Sequence, residues 1–191
     1  MTIRALNLLA LLGIFIIGGT LYAWGQPPIC TCGTVKLWVG SIFDSGNSQH
    51  IADWYTLSHF LHGVLIILLG RVFGLGFRPL FALAIVTGIG WEVIEHTDWV
   101  LNAFRATTIN QGYVGDSVLN AVADYLWMLL GFFTAYNLRT LYVVLMIIAL
   151  ELTAALIARD SLALSTLMLI YPIDAVDQWQ QELNPADKGQ S

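Results

Sequence analysis

Histidines and carboxylates recur where the chain is otherwise apolar. His59 and His62 stand in "DWYTLSHFLHG". Glu92, Glu95 and His96 stand in "GWEVIEHT", and Asp116, Asn120 and Asp124 in "GDSVLNAVADYLW". The spacings suit helices, because residues three or four apart share a face. His59 pairs with His62, Glu92 with Glu95 and His96, and Asp116, Asn120 and Asp124 form one stripe. Imidazole with carboxylate is the donor set of a hard or borderline divalent cation such as Zn, Fe, Mn or Mg. The sequence reading takes His59, His62, Glu92 and Asp124 as metal ligands and Glu95 or Asp116 as the base. Asp53, His96, Asn120 and Arg105 complete the polar set. No standard metal motif such as H-E-x-x-H is present, so the pattern identifies a donor set and no known enzyme class.

The elements carrying these residues read as membrane helices. Of 191 residues, 57% are hydrophobic and only 11% charged, against about 25% charged in an ordinary soluble domain. A helical span needs about 20 mostly apolar residues. Residues 5–25, 54–74, 79–97, 116–136 and 141–158 meet that need. Pro79 suits a helix start, and Asp116 and Asp53 are expected to cap the helices that follow them. Residues 161–171, closed by Pro172, are too short for a standard span and read as an interfacial, re-entrant or shortened sixth helix. The expected fold is therefore all-α, a polytopic membrane helix bundle with five full spans. One membrane domain covers 1–180, with an outer loop at 26–53 and a short polar tail at 181–191. The first span lacks an A-x-A cleavage pattern and is expected to be retained. The small net charge of −5, with no basic run, speaks against a nucleic-acid partner.

Alternation of the spans brings the polar clusters together. The second span starts, the third ends and the fourth starts on the same side, so all three clusters meet in one leaflet. Cytoplasmic loops collect Lys and Arg. Arg4, Arg71, Arg78 and Arg139 fall on one side, and Lys36, Arg105 and Arg159 on the other. The tight, doubly basic 71–78 turn decides a thin margin, giving a cytoplasmic N-terminus and an outward-facing cluster. Asp124 lies about 12 Å below Asp116 at 1.5 Å per residue, within the hydrocarbon. An ionised Asp at a helix centre costs about 2.5 to 3.5 kcal/mol on insertion scales, so such residues face the bundle interior.

Each residue also has a bland reading. Asp116 and Asp53 serve as caps, Asn120 as glue between helices, and Glu95 with His96 as a headgroup contact. Arg105 is more often solvated than fixed beside carboxylates. Glu151, alone in the fifth span, either joins the site from below or stays protonated against a neighbouring helix. Trp38, Trp54, Trp91, Trp99, Tyr113 and Trp179 read as an interfacial belt. Gly112 and Gly115 either let backbone N–H groups approach a ligand or make turns. Cys30 and Cys32 form either a small C-x-C disulfide ring or a free or partner-linked pair.

The stretches "NSQHIADWYTLSHFLHG", "GWEVIEHT", "NQGYVGDSVLNAVADYLWMLLGF" and "LIYPIDAVDQWQ" resemble a small family of uncharacterised bacterial inner-membrane proteins typical of alphaproteobacteria. The resemblance covers nearly the whole chain. It implies a multi-pass protein of the bacterial inner membrane and implies no activity. A looser pattern is similar to VanZ-like membrane proteins, which carry a histidine early in one helix, Glu-x-x-Gln in the next and Asp-x-x-x-Asn opening a third. His59, Glu92 with Glu95, and Asp116 with Asn120 occupy comparable places. Glu95 replaces the glutamine, and Asp124 stands where that pattern prefers small residues, so no mechanism carries over.

Three functions compete on this reading. The first is a metal-dependent hydrolase or transferase acting on a lipid or lipid-linked substrate, since a bound cation activates water or polarises a phosphoryl oxygen. The second is a non-catalytic scaffold or assembly factor, in which the polar residues order the bundle. The third is proton or ion transport along the Asp116–Asp124 stripe.

Overall fold

A computed structural model describes residues 1–185 and shows helices without strands among them. Five helices are long and apolar enough to cross a membrane: α1 (Ile3–Ala23), α2 (Tyr55–Val72), α3 (Phe77–Glu95), α5 (Val118–Asn137) and α6 (Thr140–Ile157). Three shorter helices, α4 (Asp98–Thr107), α7 (Leu162–Ile170) and α8 (Asp174–Gln181), accompany them. The protein is a polytopic membrane helix bundle. Most of the expected polar tail lies outside the described residues; its first residue ends α8.

Helices α2 and α5 form the centre. Where Gly63 and Gly131 lie, their backbones touch. A Cβ on Gly63 would stand 2.0 Å from the Met128 carbonyl oxygen, and one on Gly131 would stand 2.0 Å from that of Phe60. Around this contact Leu61, Val64, Ile67, Ala84, Ile85, Ala121, Met128 and Phe132 are buried. Helix α1 closes one flank, where Gly13 meets Ile89 and Tyr125. Outward faces are apolar as lipid requires: Phe15, Leu145, Ile148 and Leu156 are exposed.

At one end, Arg71 closes the bundle. Its guanidinium donates to the carbonyls of Ala135 and Leu138 at 2.8 and 2.6 Å and to Thr140 Oγ1 at 3.1 Å. It therefore caps the C-terminus of α5 and the turn into α6, where carbonyls lack helical partners. At the other end gather the loop before α2, α4, α7 and α8. Helix α4 buries Val100, Leu101 and Phe104 and leaves Trp99 exposed, the pattern of a helix lying on a surface.

Helix α7 has nine residues, about 13 Å of rise, too short to span. Glu151 Oε2 accepts the Ala163 N–H at 3.0 Å. Of the two roles open in the sequence, Glu151 thus takes the neighbouring-helix one, as a cap of α7. Asp160 reinforces that cap, accepting from Ser161 N at 2.9 Å and from Ser165 Oγ. Helix α8 is clamped beneath by Arg159, which meets Glu182 at 2.7 Å and lies over the Trp179 ring.

The loop of residues 24–54 sits on the start of α5. Its Pro27 and Pro28 carbonyls accept from Val118 N and Leu119 N, and its Ser48 carbonyl accepts from Ser117 N. The first N–H groups of a helix have no internal partner, and here the loop supplies them. Cys30 and Cys32 within it are joined as a disulfide.

Candidate functional site

Each polar side chain of the site is held by its own element. Asp53 precedes α2 and is buried. Its carboxylate accepts from Ser48 N at 2.7 Å and Tyr55 N at 2.8 Å, while Asp53 N donates to Thr56 Oγ1 at 3.0 Å. These bonds hold Asp53 just before the Trp54 cap of α2 and satisfy the N–H of Tyr55, the first helical residue. Burial pushes the Asp53 carboxyl up from its usual value, and the two backbone N–H groups oppose that shift. The Thr56 hydroxyl donates to Asp124 Oδ1 at 3.2 Å, tying α2 to α5.

The expected cap at Asp116 is corrected. Ser117 caps α5, its Oγ accepting from Asn120 N at 3.1 Å. Asp116 is free of that duty and points into the site. Its Oδ1 accepts the Tyr113 hydroxyl at 2.8 Å, and its N–H donates to His96 Nε2 at 2.9 Å. Tyr113 is likewise corrected, since it is not a belt residue. It is buried, with its hydroxyl between Asp116 and Glu95, 3.4 Å from Glu95 Oε1. Burial, with Asp116 and Glu95 adding, holds the Tyr113 phenol well above its ordinary range, so it acts as a neutral donor. Arg105 supports this loop, its Nε donating to the Tyr113 carbonyl at 2.6 Å. Among the described residues it pairs with no carboxylate.

His96 is committed at both ring nitrogens. Its Nδ1 lies 2.7 Å from the Glu92 carbonyl and its Nε2 accepts from Asp116 N. A carbonyl only accepts and an N–H only donates, so the proton sits on Nδ1. The 3.5 Å approach of His96 Nε2 to Asp116 Oδ2 is therefore proximity, not an ion pair. Asn120 donates to the His50 carbonyl at 2.9 Å and fastens the 24–54 loop to α5. Gly115 takes φ +90°, and a Cβ there would meet Gln26 at 2.7 Å, so this glycine makes the turn that delivers Asp116.

At the centre, His59, Glu92 and Glu95 each offer one ligand atom, and these atoms lie within 4.8 Å of one another. All three residues are buried. His59 Nδ1 is 3.2 Å from Glu92 Oε1, yet it makes no hydrogen bond, and neither do Glu92 Oε2 and Glu95 Oε2. Buried polar atoms are ordinarily paired, and a compact group of one imidazole and two carboxylates that keeps unpaired atoms is an arrangement a cation would satisfy. Asp124 lies on the other side of the imidazole, with Oδ2 3.8 Å from His59 Nε2. His62 stands apart, packing edge-on against His59 and Trp91 with ring centroids 5.7 and 5.6 Å away. Of the expected ligands, His59 and Glu92 fall in the compact group, Glu95 joins them, and His62 and Asp124 flank it.

The group opens into a cavity of about 290 Å³. Its walls carry His59, Glu95, Tyr113, Asp116 and Asp124, and α7 covers it with Ser165, Thr166 and Leu169. The sequence reading missed Thr56, the true position of Tyr113 and the roof formed by α7. Thr56 carried a legible signal, three residues after Asp53, the spacing at which a side chain reaches back to a backbone N–H. The other two had none, because their partners are remote in the chain.

The sequence matches known proteins over most of its length. A UPF0314 protein of Rhizobium meliloti (strain 1021) is 45% identical over 180 residues, covering 92% of this chain and 91% of its own. A UPF0314 protein of Paracoccus denitrificans (strain Pd 1222) is 44% identical over 163 residues, covering 83% of each. One from Brucella anthropi is 40% identical over 185 residues, covering 94% of this chain and 91% of its own. The VanZ-like pattern is not carried by these matches. No solved structure matches the chain. The family described as "Protein of unknown function (DUF2585)" matches residues 21–182, and the chain belongs to that family.

Proposed function

We propose that the protein is a metal-dependent hydrolase or transferase of the bacterial inner membrane, acting on a lipid or lipid-linked substrate. One observation carries this reading: the compact buried group of His59, Glu92 and Glu95, which keeps unpaired polar atoms and lies beside a cavity. One nitrogen and two carboxylates suit Zn, Fe or Mn. A cation held there supplies Lewis acidity toward a phosphoryl or carbonyl oxygen. Asp124, held by Thr56, lies 3.8 Å behind His59 Nε2, on the side from which a carboxylate orients a ligating imidazole. Asp116 faces the cavity and accepts the proton of the attacking water or hydroxyl. Tyr113 fixes the Asp116 carboxylate by its hydrogen bond and keeps it aimed. The outward-facing cavity and cytoplasmic N-terminus follow from the basic 71–78 turn.

A scaffold would have its buried polar atoms paired, and Glu92 Oε2 and Glu95 Oε2 are not. Transport would need a polar path below Asp124. There the α5 face continues as Tyr125, Met128 and Phe132, all buried, and the backbone contact at Gly63 and Gly131 seals α2 against α5.

Metal analysis of the protein purified in detergent tests the reading. The expected result is about one divalent transition metal per chain, lost in His59→Ala and Glu92→Gln, with chelator lowering the melting temperature of the parent only. A single buried ligand typically changes metal affinity by at least about ten-fold to a hundred-fold. Metal-free protein whose melting ignores both added metal and chelator refutes it.

A further inference from the structure

A second cavity of about 250 Å³ lies against the first. His59, His62 and Trp91 belong to both walls. The remaining lining is Leu65, Ile66, Thr87, Gly88, Glu92 and Met128, all on the spanning helices α2, α3 and α5. The Thr87 hydroxyl is turned inward to the Leu83 carbonyl at 2.8 Å, so its methyl is left for the groove. Leu65 and Thr87 are exposed on the outer surface of the bundle, where lipid lies. The mouth is therefore at acyl-chain depth, about 15 Å along α2 from its start at Tyr55. Glu92, a carboxylate of the central group, lines this apolar space, with Oε2 unpaired.

The upper cavity is also largely apolar, with Trp91, Phe104, Leu162, Leu169 and Ile170 in its walls, but it adds polar groups. Tyr55, Ser58, Asn110, Tyr113, Ser165 and Thr166 present hydroxyl and amide groups, and among the described residues its lining includes no Lys or Arg. A water-soluble substrate would have no use for an opening into the hydrocarbon beside the reacting group. An amphiphile matches both spaces at once, with oxygen-rich polar atoms above and hydrocarbon at the side.

We propose that the groove between α2 and α3 holds the hydrocarbon chain of a membrane amphiphile whose head occupies the upper cavity, with His62 and Trp91 as the partition over which the molecule bends. The proposal rests on the metal-enzyme reading for the chemistry at the head and on the two adjacent cavities, which share His59, His62 and Trp91 as walls, for the chain. The head lacks a basic partner, so it is a hydroxylated group, or a phosphoryl group held through the cation.

The experiment uses full-length protein in nanodiscs with two photoreactive probes, each carrying a mid-chain diazirine: a phosphatidylglycerol and a polyprenyl phosphate. The expected result, with either probe, is labelling at Leu65 and Ile66 at least about ten-fold above Leu145 on the lipid-facing α6, with a similar loss in Thr87→Trp. Leu145→Trp, a substitution of equal bulk elsewhere, leaves the labelling unchanged. Which probe labels more strongly identifies the chain class. Even labelling of α2 and α6, or labelling that persists in a Thr87→Trp protein whose melting is intact, overturns the proposal. Metal content is measured on the same samples. Groove labelling without metal refutes the proposed chemistry and leaves the groove, whereas metal without groove labelling does the reverse.

Discussion

The α2–α5 contact sets His59 beside Asp124, and it can be tested by adding one carbon atom. In Gly63→Ala the new Cβ would lie 2.0 Å from the Met128 carbonyl oxygen and 2.5 Å from Phe132 N. Ordinary contact begins at 3.4 Å, so the helices must part by about 1.4 Å. The obstructing atoms are backbone, which cannot rotate away. Overpacking of side chains costs about 1–3 kcal/mol, and a backbone clash sits at or above the top of that range. Helix propensity returns only about 1 kcal/mol for Gly to Ala. Gly131→Ala meets the Phe60 carbonyl in the same way, whereas Gly19→Ala has nothing within 4 Å and serves as control. Gly63 lies one turn from His59, so parting the helices also opens the 3.8 Å approach of His59 to Asp124. Thermal melting in detergent, with metal content on the same samples, reads both effects. Gly63→Ala and Gly131→Ala should each lose about 2 kcal/mol or more, together with metal affinity. If both melt with the Gly19→Ala control, the close approach of α2 and α5 is refuted, and with it the sealed floor that argues against transport.

Other consequences are simpler to measure. Tyr113→Phe removes the donor to buried Asp116 Oδ1 and should cost about 1–3 kcal/mol of stability, again read by melting. Burial pushes the Asp160 carboxyl up to about 6, so the folded state holds its proton more tightly than the unfolded chain does. Stability should therefore be fullest at low pH and fall between about pH 4 and pH 6, by on the order of 3 kcal/mol. Asp160→Asn should flatten that slope in melting curves taken across this range, and an unchanged slope would mean that other groups cause it. Arg71→Met removes the donor to the carbonyls of Ala135, Tyr136 and Leu138 and to Thr140 Oγ1 at the turn between α5 and α6. It should destabilise the fold by about 1.5–3 kcal/mol without changing metal content. An alkaline phosphatase fusion after Arg78 should be inactive and one within residues 26–53 active; the reverse pattern would invert the proposed orientation.

Sequence alone determined the membrane fold and the meeting of the polar residues at one end. Both follow from one-dimensional facts. Five apolar runs must cross a bilayer, and alternate crossing forces the starts of α2 and α5 and the end of α3 to one level. The individual roles were not legible, because they depend on which face each helix turns toward its neighbour. Helical spacing placed His59 and His62 on one face, which led to both being expected as ligands beside the carboxylates. Packing of α2 on α5 directs His59 between Glu92 and Asp124 and leaves His62 against Trp91. Neither Tyr113 nor Glu151 betrayed its partner, since each hydrogen bond crosses between elements that only the folded chain brings together. A period of 3.6 residues fixes what shares a face; rotation and depth against the other helices, set by contacts such as Gly63 on Met128, decide what that face touches.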